Sequence, residues 1–273
     1  MALSDPVNAE PFERLDIALV ARGLTRSRQT AAEAIRAGRV HVNGVVARKP
    51  AAPVRLGDAL VVEPSDGEHY VSRAAHKLAG ALDAIELSVS GTRCIDVGAS
   101  TGGFTQVLLE RGAAHVSAID VGTGQLVPVL RADRRVTCLE GTHVGRDDLA
   151  EVAPASLVVA DLSFISLCHV MGALAGLVAD GGALLPMVKP QFEVGRTNLG
   201  KGGVVNDPVM HREAVAQVIA SAGEHGFFPR RILTSTLPGP SGNIEFFVYL
   251  DRVDRGLSFD DLWAGRDSRT CET

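Results

Sequence analysis

From Arg93 to Leu250 the chain keeps one rhythm, a short apolar run followed in most cases by a helical segment. The runs are RCIDV, HVSAID, RVTCLE, SLVVAD, GALLPMV, RRILTST and NIEFFVYL. Strands that are apolar on both faces and alternate with helices belong to a parallel sheet covered on both sides. The last two runs leave no room for a helix between them, so they are expected to pair antiparallel. The fold class is therefore α/β, an open seven-stranded sheet preceded by a small α+β unit.

That smaller unit spans residues 12–63. RLDIALVARG reads as a short helix stopped by Gly23. SRQTAAEAIRAG reads as a second, capped by Ser27 and ended by Gly38. RVHVNGVVA is a hairpin turning at Asn43-Gly44, and ALVVE is a closing strand. The whole chain carries a net charge of −5, yet from Arg14 to Arg55 there are nine Arg and Lys against only Asp16 and Glu33. A basic block on an acidic chain marks a module for a polyanion. Arg14, Arg26, Arg28, Arg39 and Lys49 are the candidate phosphate contacts. Residues 64–71 read as a linker, 72–253 as the α/β domain and 254–273 as a loose polar tail. Ser72 is expected to cap a helix running to Leu87.

The stretch CIDVGASTGGFT, from Cys94 to Thr105, is a strand entering a glycine-rich turn. Ligands of open α/β sheets sit at the carboxyl ends of the strands. A phosphate loop would need Gly-Lys-Ser/Thr, which is missing here. A dinucleotide turn would need glycine where this chain has Ser100, and Asp96 would meet the pyrophosphate. S-adenosylmethionine has no phosphate and suits the turn better. The expected contacts are Asp96, Gly98, Ser100, Gly102, Gly103 and Phe104, with Asp120 on the ribose hydroxyls and Asp161 at the end of the next strand but one. A purely structural turn is the competing reading.

Four ionisable residues are expected at this edge of the sheet. Asp161 ends SLVVAD, Lys189 ends GALLPMVK, Glu245 opens the final strand, and Lys77 lies on the helix that enters the domain. Attack of a ribose 2′-hydroxyl on a methyl sulfonium needs such a set. A lysine serves as base only when burial or a neighbouring cation depresses its pKa, and two lysines in one pocket do this to each other. The carboxylates hold them in place. Where enzymes that methylate base nitrogens often carry Asn/Asp-Pro-Pro-Tyr, this chain has DLSF.

DVGASTGGFT, ADLSFISL, MVKPQFEVG, GGVVNDP and LPGPSGNIEFF together resemble the TlyA family of hemolysin-named ribosomal RNA 2′-O-methyltransferases, and the amino-terminal unit resembles the small RNA-binding domain named after ribosomal protein S-four. The resemblance covers about Phe12 to Leu250. It implies a Rossmann-like methyltransferase sheet, S-adenosylmethionine as cofactor, and Lys77, Asp161, Lys189 and Glu245 as a catalytic tetrad. It also implies ribosomal RNA as partner, with methylation at cytidine ribose. EHYV at 68–71 and GTHV at 141–144 depart from the family pattern. The loop at 194–203 is a candidate flap over substrate.

Composition limits the alternatives. No apolar run reaches the ~18 residues that span a bilayer. The cysteines, Cys94, Cys138, Cys168 and Cys271, form no CxxC pair, so neither zinc nor a disulfide framework is expected. The chain reads as a soluble cytoplasmic protein. A membrane-acting hemolysin, a non-catalytic ribosome-binding factor and a nicotinamide oxidoreductase are the rival readings.

Overall fold

The computed structural model describes residues 12–25, 27–63, 69–147, 149–150, 152–195 and 199–267. Arg26, most of the expected linker, the middle of the expected flap and the final residues from 268 lie outside them. The chain forms two compact units that part between His69 and Tyr70.

In the first unit, helix α1 (Leu15–Ala21) packs on α2 (Arg28–Arg36). The Ser27 side chain accepts a hydrogen bond from Thr30 N, which is the expected cap. Strands β2 (Val40–Val42), β3 (Val45–Ala47) and β5 (Leu60–Val62) form an antiparallel sheet in the order β3-β2-β5. Asn43 and Gly44 both adopt positive φ in the β2–β3 turn, as a two-residue hairpin requires. Leu15, Leu19, Ile35 and Val40 are buried beneath it. A second, two-stranded pairing, β1 (Glu13–Arg14) with β4 (Pro53–Val54), closes the unit. Strands this short leave no periodicity to read.

The second unit is built on a seven-stranded sheet. Its strands are β6 (Arg93–Val97), β7 (His115–Asp120), β8 (Val136–Glu140), β9 (Ala155–Ala160), β10 (Val178–Val188), β11 (Phe228–Thr234) and β12 (Phe246–Asp251). Their order is β11-β12-β10-β9-β6-β7-β8, with β12 antiparallel to both neighbours. The strand order reverses its course between β6 and β9, which run parallel, and that switch point is where an open sheet holds its ligand. On one face, helices α3 (Ala74–Ala84) and α4 (Gly103–Glu110) bury Leu78, Leu82, Leu108 and Phe247. On the other, α6 (Met171–Gly176) and α8 (Pro208–Glu224) bury Met171, Leu174, Val218 and Phe227. Each such side chain contributes roughly 1.5–3 kcal/mol over exposure.

Two boundaries differ from expectation. Helix α3 starts at Ala74 with Arg73 as its cap residue and no side-chain cap bond. Ser72 packs instead against Gly103, the first residue of α4. Helix α3 ends at Ala84, and Glu86 then takes a positive φ. The supposed tail contains helix α9 (Phe259–Ala264), capped by Ser258, with the Trp263 ring 5.2 Å from that of Phe246. An aromatic on a capped amphipathic turn has apolar surface to bury, which polar composition hides.

Candidate functional site

The turn after β6 opens into a cleft of about 620 Å³ lined by Gly98, Ser100, Asp120, Gln125, His143 and Asp161, among others. Gly98 has φ +85°, and a Cβ there would stand 2.5 Å from the Asp161 carbonyl oxygen. Only glycine lets the turn lie this close to the end of β9. Ser100 also has positive φ. Its N–H donates to Asp120 Oδ2 at 2.7 Å, while Gly122 N donates to Asp120 Oδ1 at 2.7 Å. A carboxylate has about four acceptor sites, so both oxygens keep capacity for hydroxyl donors in the cleft. Across the cleft, His143 Nδ1 accepts from Gly145 N at 3.1 Å.

Phe104 does not belong to this cleft as expected. Its side chain is buried in the core with its ring 6.0 Å from that of Phe247. The turn directs Phe104 inward because it is already on the first turn of α4, whose core-facing side it occupies.

Asp96 is fully buried beneath the turn. Thr105 Oγ1 donates to its Oδ2 at 2.7 Å, while Oδ1 is buried with no partner. Burial pushes the carboxyl up to about 7, and the charges of Asp161 and Asp120 push the same way. Converging acids and an orphaned carboxylate oxygen call for a cation and repel a pyrophosphate. S-adenosylmethionine, with an ammonium and a sulfonium, fits this donor set.

The four expected catalytic residues form two ion pairs. Asp161 follows β9 directly. Pro190 opens the short helix α7 (Pro190–Glu193) and ends β10 at Val188, which leaves Lys189 at the strand end. Lys189 Nζ lies 2.6 Å from Asp161 Oδ1 and donates to Ser163 Oγ at 2.9 Å. Val188, the residue before Lys189, pairs with Phe246, the residue after Glu245. Lys77, from α3, reaches Glu245 Oε2 at 2.5 Å. Lys77, Lys189 and Glu245 are all buried. A Cβ at Gly239 would come within 2.6 Å of Glu245 Oε1, so the glycine of the PGPSG turn makes room for that carboxylate. Lys77 also lines a second cavity of about 520 Å³ with Thr234, Thr236 and Arg266. Of the four residues, Asp161 lines the first cavity and Lys77 the second.

Three contributors were not found by sequence reasoning. Ser163 holds Lys189. Phe164 is 92% exposed with φ +66° on the cleft wall, and its ring lies 5.3 Å from that of Phe192. Glu193 binds the segment that carries both. The one available signal was position, since each lies within five residues of Asp161 or Lys189. The flap residues 196–198 lie outside the described residues. Beside them, Asn243 Oδ1 accepts from Val205 N and its Nδ2 donates to Gly203 O, fixing the carboxyl-side end of that loop.

In the first unit, Arg14 donates twice to Asp16, both at 2.9 Å, and Arg28 donates to Asp16 Oδ2 at 3.1 Å. The arginine side chains remain 48% and 60% exposed. The hydrogen bonds from Arg14, with Arg28 adding, hold the Asp16 carboxyl down at about 2. Arg39 donates to Glu63 O, and Lys49 is exposed.

An FtsJ-like methyltransferase family model matches residues 70–252, and an S4 domain model matches residues 13–60. The chain is 52% identical over 251 residues to the 16S/23S rRNA (cytidine-2′-O)-methyltransferase TlyA of Mycobacterium tuberculosis, covering 91% of this chain and 94% of that protein. It is 35% identical to Hemolysin A of Brachyspira hyodysenteriae, over 86% of this chain and 98% of the other. A hemolysin-named protein of Streptococcus thermophilus superposes with a TM-score of 0.73 at 37% identity, over 94% of this chain and 96% of that one. An S-adenosylmethionine dependent methyltransferase from Listeria monocytogenes shares the fold of the larger unit, with a TM-score of 0.51 at 14% identity, over 67% of this chain and 100% of that one.

Proposed function

The chain belongs to the TlyA family of FtsJ-like methyltransferases, and we propose that it methylates the ribose 2′-hydroxyl of a cytidine in ribosomal RNA. The observation that carries this reading is the presence of two ion pairs, Lys77–Glu245 and Lys189–Asp161, the second of which reaches the cofactor cleft through Asp161. Gly98, Ser100 and Asp120 would hold S-adenosylmethionine, with the Asp96 carboxylate beneath its ammonium. When bound, that cofactor supplies an electrophilic methyl group on sulfur.

The rest is done by the chain. Lys189 takes the proton of the 2′-hydroxyl. Asp161 and Ser163 aim its Nζ, and Lys77 and Glu245 set the charge around it. The exposed Phe164 ring offers a stacking face for an unpaired base. The S4 unit, with Arg14, Arg28, Arg39 and Lys49 on it and Arg26 outside the described residues, grips the RNA backbone, within a ribosomal subunit and in the cytoplasm. Among the described residues no helix is long and apolar enough to cross a membrane.

The test is methyl transfer from S-adenosylmethionine to ribosomal subunits of cells lacking this chain, with the modified nucleotide mapped. Incorporation at a cytidine 2′-oxygen supports the reading. Incorporation at a base nitrogen, or none on either subunit, ends it.

A further inference from the structure

The segment Asp161–Leu167 is irregular and lies over the site, joining β9 to a 3-10 turn at Leu167–His169. It contains Asp161, Ser163 and Phe164. Phe164 holds a left-handed backbone conformation, uncommon for a bulky side chain. Three of the five residues from Lys189 to Glu193 meet this segment. Lys189 meets Asp161 and Ser163 at the front of the segment. The Phe192 ring meets Phe164 in its middle. At its far end, Glu193 Oε2 accepts from Ser166 Oγ at 2.6 Å and Oε1 accepts from Leu167 N at 2.9 Å.

We propose that Glu193 is a positioning residue for methyl transfer, clasping this segment so that Asp161, Ser163 and Phe164 keep their placement against Lys189. Glu193 is a poor choice for mere packing. Burial raises its carboxyl above the ordinary value, so holding it there is unfavourable unless its bonds are needed. Two of its contacts fall on the end of the segment, and a third, long one comes from Cys168 Sγ on the turn that follows. Its own helix has four residues and begins at Pro190, so a shift at Glu193 is transmitted directly to Lys189. The inference rests on the tetrad reading above.

The carboxylate acts by accepting, so an amide oxygen replaces part of it. In single-turnover assays with saturating cofactor and ribosomal subunits, Glu193→Ala should lower the rate by up to ~10²-fold, the usual penalty of a small misplacement. Cofactor affinity by calorimetry should fall far less than the rate, because Gly98, Ser100 and Asp120 lie on other elements and only the wall formed by Asp161 to Ile165 shifts. Glu193→Gln should recover most of the rate. Ser166→Ala, which removes one of the two anchors and leaves the acid, should fall between. A folded Glu193→Ala with undiminished rate overturns the proposal. So does a Gln variant no better than Ala with cofactor affinity lost in both, which would mean simple structural damage. Should Glu193→Ala not fold, Ser166→Ala at full rate is decisive against it. Lys189→Ala run alongside separates the two readings. If it stays active the tetrad is wrong, and if it is dead while Glu193→Ala is fully active, only the clasp is wrong.

Discussion

Lys77 and Glu245 are 168 positions apart in the chain and 2.5 Å apart in the fold, with side chains only 8% and 1% exposed. Removing one partner leaves a charge buried alone, which costs about 3–5 kcal/mol. Replacing both by apolar groups of similar volume removes two desolvation penalties along with the attraction. Glu245→Ala is therefore expected to be strongly destabilised, and Lys77→Met with Glu245→Leu to be near wild-type stability or above it. The double variant should still be inactive. Urea denaturation beside a transfer assay checks this. A double variant as unstable as the single one would show that the pair is worth more than its desolvation cost.

Lys189→Ala should lose the general-base contribution, roughly 10²–10⁴-fold in rate, with cofactor binding nearly intact. Lys189→Arg should fail to rescue, because a guanidinium stays protonated at neutral pH. Near-normal turnover of the arginine variant would reduce Lys189 to an electrostatic anchor and send the search for the base elsewhere.

Asp96 gives a prediction with a definite sign. Its carboxyl is pushed up to about 7 in the folded chain from an ordinary 3.8. Between those values the folded state binds more protons than the unfolded state, so stability falls as pH rises through that window and levels off above it. At ~1.4 kcal/mol per unit the fall is at most ~4 kcal/mol. Asp96→Asn should abolish it, which denaturation of the ligand-free chain at pH 5 and pH 8 would reveal. A cationic ligand favours the ionised form, so S-adenosylmethionine binding near neutral pH should release a proton and tighten as pH rises. Calorimetry in buffers of different ionisation enthalpy measures that release. An equal pH dependence in wild type and Asp96→Asn would remove Asp96 from both roles.

In the S4 unit the basic residues divide into two kinds. Lys49→Ala should weaken RNA binding and lower the salt slope by about one. Arg14→Ala and Arg28→Ala should do so and also destabilise the unit, because both hold Asp16. The Asp16 contribution is present above its ordinary pKa and lost as pH falls toward 2. Salt titrations of RNA binding, paired with thermal melts, separate the kinds. A melt unchanged in both arginine variants would refute the structural half.

The sheet was legible because most of its strands carry a short apolar run and helical segments separate most of them. The two ion pairs were within reach of the sequence because Asp161, Lys189 and Glu245 sit at strand ends, whose edge the topology fixes. What escaped depends on contacts that no local pattern encodes. Glu193 reaches Ser166 and Leu167 across more than twenty positions. Phe104 looked like part of a ligand turn because it follows the glycines, but the first turn of α4 carries it into the core. Ser72 looked like a cap because serine often is one, yet here it fills the space that Gly103 leaves. The pairing of β1 with β4 involves two residues on each side, too few for any periodicity.

The placement of β12 sets a timetable for synthesis. It is the last strand of the sheet to leave the ribosome, yet it lies inside the sheet, between β10 and β11, and Glu245 immediately precedes it. A nascent chain can already have formed the S4 unit and the strands around the cofactor turn while its sheet still has a gap beside β10. Such a chain is equipped to hold RNA and cofactor before it is equipped to transfer anything between them. Competence for chemistry arrives in one late step, when the final strand slots in and brings the partner of Lys77 with it.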